Sequence, residues 1–136
     1  MADLYLITGG AGFIGSNIAE KLVKNGEKVR IIDNLSTGKK ENLNSFVDDV
    51  ELVQGDLRYL NTVMEVMKGV DYVLHQAALP SVPRSVQTPI ESNDNNTNGT
   101  LNILYAAKES GVKRVVYAAS ISQYAGLEAL TGPQYE

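Results

Sequence analysis

The chain has 136 residues, 43% of them hydrophobic, no cysteine, one histidine and a formal net charge of -4. That composition describes a single soluble domain long enough to bury a core, and without a basic stripe or a His/Cys cluster it argues against a nucleic-acid partner and against a zinc site. The longest apolar runs are strand-sized, and the N-terminus carries no basic segment leading into an apolar one. Neither a membrane span nor a secretion signal is expected, and the cytoplasm is the default compartment.

Apolar segments of strand length and helix length alternate along the chain, the signature of βαβ units. Leu4 to Thr8 reads as a first strand. A helix from Phe13 to Lys24 follows, with Ile14, Ile18 and Leu22 on one face and Asn25-Gly26 closing it. Lys28 to Asp33 and Glu51 to Gln54 read as the second and third strands. Tyr59 to Lys68 carries Leu60, Val63, Met64 and Met67 at helical spacing, Gly69 stops it, and Asp71 to His75 is a fourth strand. A long helix is expected from about Glu91 to Ser110, with Leu101, Leu104 and Tyr105 facing inward and Gly111 as its stop. Arg114 to Ala119 completes a set of five strands. The expected fold class is α/β: a doubly wound, Rossmann-like parallel sheet with helices on both faces.

The stretch Ile7 to Gly15, ITGGAGFIG, sits at the first strand-to-helix turn. Its glycines fit G-x-G-x-x-G through Gly10, Gly12 and Gly15, or G-x-x-G-x-x-G through Gly9, Gly12 and Gly15. Such a turn lets backbone N–H groups reach a pyrophosphate, and the helix that follows adds its partial positive charge. Glycines alone can also mean only a tight bend, but Asp33 closes the second strand, where a carboxylate accepts from the ribose diol of an adenine dinucleotide. An ionised Asp33 repels a 2'-phosphate, and neither Arg30 nor Lys39-Lys40 lies in its immediate turn, so NAD is favoured over NADP. Asp33 also suits a turn cap. Asp56, after the third strand, is placed to accept from the adenine amino group or merely to cap the next helix. His75, closing a buried strand, reads as a hydrogen-bonded core residue.

TGGAGFIGS, Asp33-Asn34-Leu35-Ser36-Thr37-Gly38, Gly55-Asp56-Leu57-Arg58, His75-Gln76-Ala77-Ala78 and Asp94-Asn95-Asn96-Thr97-Asn98-Gly99-Thr100 together resemble the extended short-chain dehydrogenase/reductases. Within that family the chain is most similar to nucleotide-sugar 4-epimerases of the UDP-glucose and UDP-N-acetylglucosamine type, up to about Gly126. The resemblance implies NAD as cofactor, with Gly9, Gly12, Phe13, Ile14 and Gly15 at the pyrophosphate. It implies Asp33, Asn34, Ser36, Thr37 and Gly38 around the adenosine ribose, Asp56 and Leu57 at the adenine, and Ala77, Ala78 and Leu79 beside the nicotinamide ribose, with Asn96 near the cofactor. Small residues at Ala77 and Ala78 also suit plain tight packing. Pro80 to Ser85 resembles the family's substrate-side loop, with Ser81 and Arg84 as UDP-sugar contacts.

Chemistry in the family needs a serine after the fifth strand, then a tyrosine general base and a lysine one helical turn apart. Ser120 and Ser122 match the serine segment, although Ile121 and Ala125 depart from the usual pattern. None of the seven tyrosines is followed by lysine four residues on. The expectation is therefore an NAD-binding domain over residues 1–126, without the later strands, the Tyr-x-x-x-Lys helix or the substrate domain, and an atypical tail over 127–136. The parent reaction would be NAD-dependent C4 epimerisation of a UDP-hexose, as in galactose metabolism, with this chain alone unable to turn over. Self-association through the 91–110 helix is expected. A binding or assembly module without catalysis is the competing reading, as is the matching part of a nucleotide-sugar dehydratase or uronate 4-epimerase.

Overall fold

In the computed structural model, which describes residues 2–79 and 82–119, the apolar runs form β1 (Leu4–Thr8), β2 (Lys28–Asp33), β3 (Val50–Gln54), β4 (Tyr72–His75) and β5 (Arg114–Tyr117). All pairings are parallel, in the order β3-β2-β1-β4-β5. β1 is flanked by β2 on one side and β4 on the other, so the chain reverses its direction of travel across the sheet after β3. In a sheet of this kind a crevice opens outside the carboxyl ends of the strands where the order reverses. The register carries Thr8 opposite both Ile32 and His75, and His75 opposite Tyr117, along that carboxyl edge.

Alternation along each strand divides the core in two. Leu6, Ile32 and Val73 point to one face, where they meet Val63, Met67, Ile103 and Ala106 from α2 (Leu60–Val66) and its end, and from α5 (Gly99–Glu109). Ile7 and Ile31 point to the other face and pack with Ala19 of α1 (Phe13–Lys24) and with Leu43 and Phe46 of the segment after β2. Each fully buried Leu or Ile contributes about 1.5–3 kcal/mol, so the sheet is anchored from both faces where the crevice begins.

Five expectations about the helical segments need correction. In α1 the residues turned inward are Gly15, Ser16 and Ala19, while Ile14 is 60% exposed and Ile18 and Leu22 pack only from the flank. Small residues on the inner stripe bring the helix axis close to the sheet, and a Cβ at Gly15 would collide with the Gly9 carbonyl. In α5 the inward stripe is Gly99, Ile103, Ala106 and Ala107, whereas Leu101, Leu104 and Tyr105 are exposed. Both stripes are apolar, and the one with smaller side chains docks nearer the strands. The long helix is also not continuous: α4 (Pro89–Asn93) and α5 are joined by a π-helical turn over Asp94–Asn98, which shifts the phase of everything after it. Of the residues read at helical spacing around α2, Val63 and Met67 are buried and Leu60 is exposed, while Val66, outside that set, is buried. The segment expected as a substrate-side loop contains a short helix, α3 (Val82–Gln87).

Candidate functional site

The glycine turn between β1 and α1 is shaped by close approach. Gly9 has φ +67, and a Cβ built on it would stand 2.9 Å from Ala77 N and Cα. The backbone after β1 thus touches the backbone after β4, where only hydrogen fits. Gly9 N–H donates to Ile32 O at 2.9 Å and Gly12 N–H to Gly9 O at 3.1 Å, folding the turn over the end of β2. Gly12 is the N-cap of α1; it offers no side-chain cap, and no acidic residue occupies the first helical turn. The N-terminal amides of a twelve-residue helix are left without a side-chain acceptor, the arrangement that favours an anion.

Asp33 ends β2 and is 8% exposed. Its Oδ2 accepts from Ala11 N at 3.0 Å and its Oδ1 from Leu35 N at 2.8 Å, so it does cap a turn. A carboxylate has about four acceptor sites, and two remain for other donors. Ala11 O in turn accepts from Lys39 N and from Asn42 Nδ2 at 3.0 and 2.8 Å, which locks the segment after β2 against the glycine turn. Gly38 lies so close that a Cβ there would be 2.8 Å from Asp33 Oδ2. The floor beside the carboxylate is kept open by the lack of a side chain.

The β4 side is held by a chain of hydroxyls and one imidazole. The Thr8 hydroxyl, fully buried, accepts N–H groups from Gln76 and Ala77, both at 3.1 Å, and is 2.6 Å from His75 Nδ1. His75 Nε2 is 2.8 Å from Thr100 Oγ1, which donates its own proton to Asn96 O at 2.7 Å. With its proton committed to Asn96, Thr100 accepts from Nε2–H; Thr8, already accepting two amides, donates to Nδ1. The ring is therefore neutral and protonated on Nε2, and burial pushes its pKa below the ordinary 6.5 in agreement with that assignment. His75 belongs to the structure, as its strand-end position suggested.

These elements line an open cleft of about 110 Å³. Its lining brings together Gly9, Gly12, Asp33, Asn34, Ser36, Thr37, Gly38, Asp56, Leu57, Ala77, Ala78 and Leu79, all singled out from the sequence. Five others lie elsewhere. Phe13 is 82% exposed and, with Ile14, borders an apolar groove on the outer side of α1, so only their backbone faces the turn. Gly15 packs under the Gly9 carbonyl. Asn96 pairs with backbone: its Oδ1 accepts Leu79 N at 2.7 Å and its Nδ2 donates to Leu79 O at 3.2 Å. Asn95, one residue earlier in the π-helical turn, lines the cleft instead. Arg84 is exposed on α3 and is not among the lining residues. Ser81, Ser120 and Ser122 lie outside the described residues.

Sequence reasoning missed Thr8, the hub that fixes the Gln76–Ala77 backbone. Its signal was a hydroxyl at the last position of an otherwise apolar strand whose final three residues are buried. Among the described residues, no group of three or more His, Cys, Asp or Glu is placed to hold a metal ion, and no helix is long and apolar enough to cross a membrane.

Comparison with known proteins agrees with this geometry. The profile of the NAD dependent epimerase/dehydratase family matches residues 5–136. UDP-glucose 4-epimerase of Streptomyces lividans is 37% identical over 127 residues, 91% of this chain and 38% of its own length. UDP-N-acetyl-alpha-D-glucosaminuronate decarboxylase of Bacillus cytotoxicus is 39% identical over 119 residues, 88% of this chain and 37% of its own. The crystal structure of UDP-glucose-4-epimerase from Stenotrophomonas maltophila, with bound NAD and formylated UDP-arabinopyranose, superposes with a TM-score of 0.83 at 32% identity, covering 91% of this chain and 38% of that one. The chain thus spans less than two-fifths of the length of these relatives. By its sequence and its five-stranded fold, the chain belongs to the NAD dependent epimerase/dehydratase family.

Proposed function

We propose that residues 1–126 are the NAD-binding domain of a nucleotide-sugar 4-epimerase, with 127–136 a separate tail, and that the parent reaction is reversible C4 epimerisation of a UDP-hexose. The observation that carries this is the cleft at the β1/β4 switch, where a side-chain-free turn and the N-terminus of α1 face a buried carboxylate with acceptor capacity to spare. The residues fit the dinucleotide. Gly9, Gly12 and the first amides of α1 would hold the diphosphate, Asp33 the ribose hydroxyls with Asn34, Ser36, Thr37 and Gly38 around them, Asp56 and Leu57 the adenine, and Ala77 to Leu79 the nicotinamide ribose. Bound NAD supplies a reversible hydride acceptor for a sugar carbinol.

What the chain's own residues do is orient and exclude. The Thr8–His75–Thr100 chain holds the Gln76–Ala77 backbone against the glycine turn, and Asn96 fixes Leu79, so the nicotinamide side of the cleft has one geometry. Ser120 and Ser122, just after β5, would contact the sugar, as would Ser81 and Arg84. The sequence contains no tyrosine followed by lysine four residues on, so this polypeptide alone should bind cofactor without turnover. The exposed Leu101, Leu104 and Tyr105 of α5 would pair two copies through that helix.

Calorimetric titration with NAD and NADP tests the reading. NAD binding that exceeds NADP binding, and that falls about tenfold or more in Asp33→Ala through loss of charge-assisted hydrogen bonds, is expected. Binding of neither nucleotide, or robust epimerisation of UDP-glucose by the 136-residue chain, would contradict it. The similarity to a UDP-sugar decarboxylase favours a second reading, the same NAD domain in a decarboxylase or dehydratase. Both readings predict the same cleft.

A further inference from the structure

The turn after β3 carries a second charged constellation that NAD binding alone does not require. Asp56 lines the cleft with its side chain 17% exposed, and Arg58 grips it from behind. Arg58 Nη2 donates to Asp56 Oδ2 at 2.6 Å, and Nε lies 3.0 and 3.1 Å from the two carboxylate oxygens. The Arg58 backbone N–H adds a bond to Oδ1 at 2.9 Å. A planar guanidinium in a two-pronged contact fixes both the position and the plane of the carboxylate, which a lysine ammonium would not.

The turn is also fixed from the opposite side. Asn102 of α5 donates through Nδ2 to Leu57 O at 2.8 Å and to Arg58 O at 3.2 Å. Gly99 leaves room for Leu57, whose Cβ would lie 3.3 Å from a Cβ built there. Arg58 Nη1 is 3.9 Å from Asp94 Oδ2 in the π-helical turn. Nε shares one proton between the two oxygens, so of the roughly four acceptor sites on the carboxylate these three donors leave about one.

We propose that Arg58 is a positioning residue for base selection: by holding Asp56 as a fixed, acceptor-only group in the cleft, it makes the site prefer a purine with a 6-amino group over one with a 6-oxo group. This rests on the NAD reading above. Adenine offers an N–H donor to the one remaining acceptor site. Hypoxanthine presents a carbonyl oxygen at the same position and carries its donor at N1–H instead, so a carboxylate held in place faces an acceptor. A site built to pair one hydrogen-bonding group rejects the analogue that lacks it far better than an apolar wall does. Freed from Arg58, the carboxylate can rotate away and the distinction fades, while the diphosphate contacts at Gly9 and Gly12 do not change.

The test titrates the full 136-residue chain with NAD and with nicotinamide hypoxanthine dinucleotide, which differ at the 6-substituent of the purine and in the proton on N1. The unsubstituted chain is expected to favour NAD by about tenfold or more, as one charge-assisted hydrogen bond would give. Arg58→Gln is expected to weaken NAD and bring the two ligands within about threefold, with hypoxanthine dinucleotide binding nearly unchanged. Should that variant fold poorly by circular dichroism, Arg58→Lys, which keeps the charge but loses the two-pronged contact, should still lose most of the preference. Asn102→Ala should weaken both ligands alike. An undiminished NAD preference in the Arg58 variants, or an equal loss for both ligands, overturns the proposal while leaving the NAD reading intact. If the unsubstituted chain binds neither ligand, it is the NAD reading that falls.

Discussion

Replacing Thr8 by valine removes one hydroxyl and keeps the shape of a fully buried side chain, so its effect isolates hydrogen bonding. Three groups depend on that oxygen: the N–H of Gln76, the N–H of Ala77 and Nδ1 of His75. Gln76 N–H retains a second acceptor, Thr8 O at 3.2 Å, and loses little. Ala77 N–H and the imidazole nitrogen are left without a partner, and a buried unsatisfied group costs about 1–3 kcal/mol. Because Ala77 lines the cleft and water can reach part of its amide, the sum should fall at about 2–4 kcal/mol of lost stability. With a urea dependence of about 1–3 kcal/mol per M, the midpoint of denaturation should drop by about 1–2 M in Thr8→Val. Thr8→Ser, which keeps the oxygen, should lose about 1 kcal/mol, the value of one buried methyl. A Thr8→Val midpoint within about 0.3 M of the parent would refute the hub and with it the assigned ring tautomer.

Gly9→Ala places a side chain at φ +67 and against the Ala77 backbone, so both stability, by about 1–3 kcal/mol, and NAD affinity should fall, measured by thermal melting and calorimetry. His75 supplies a pH test. Its pKa is lowered in the folded chain by burial, so the unfolded chain binds the extra proton and folding stability is full above about 6.5. As the pH falls through that value the contribution is lost, until the depressed folded-state value is passed. Urea midpoints taken from pH 7.5 down to 5 should decline in the parent and decline less in His75→Gln; parallel curves would argue that the ring titrates normally. Asp56 behaves likewise at lower pH. Arg58 hydrogen bonds hold its carboxyl below 3.8, so its contribution is present above that value and disappears only under stronger acid, to be read from the same midpoints in Asp56→Asn.

The five strands and the glycine turn were legible because their signals are local: apolar runs of fixed length, bounded by Gly, Asn and Asp. Asp33 was legible for the same reason, since a carboxylate at a strand end next to such a turn has few other uses. The Thr8–His75–Thr100 chain was not, because its members stand far apart in sequence and meet only when β1 pairs with β4. The face of α5 was misread since Leu101, Leu104 and Tyr105 form as good an apolar stripe as Ile103, Ala106 and Ala107; which one docks depends on how closely the helix can approach the sheet. Asn95 rather than Asn96 lines the cleft, in a π-helical turn that no periodicity announces. Phe13 and Ile14 are exposed, because a turn that offers main-chain N–H groups places no demand on where the side chains go.

Soaking crystals of the chain with NAD and locating the ligand at atomic resolution tests the central claim most directly. The account predicts the diphosphate on the amides of Gly9, Gly12 and the first turn of α1, with a ribose hydroxyl donating to Asp33. A dinucleotide bound away from Asp33, or a cleft that remains closed to it at saturating concentration, would contradict it.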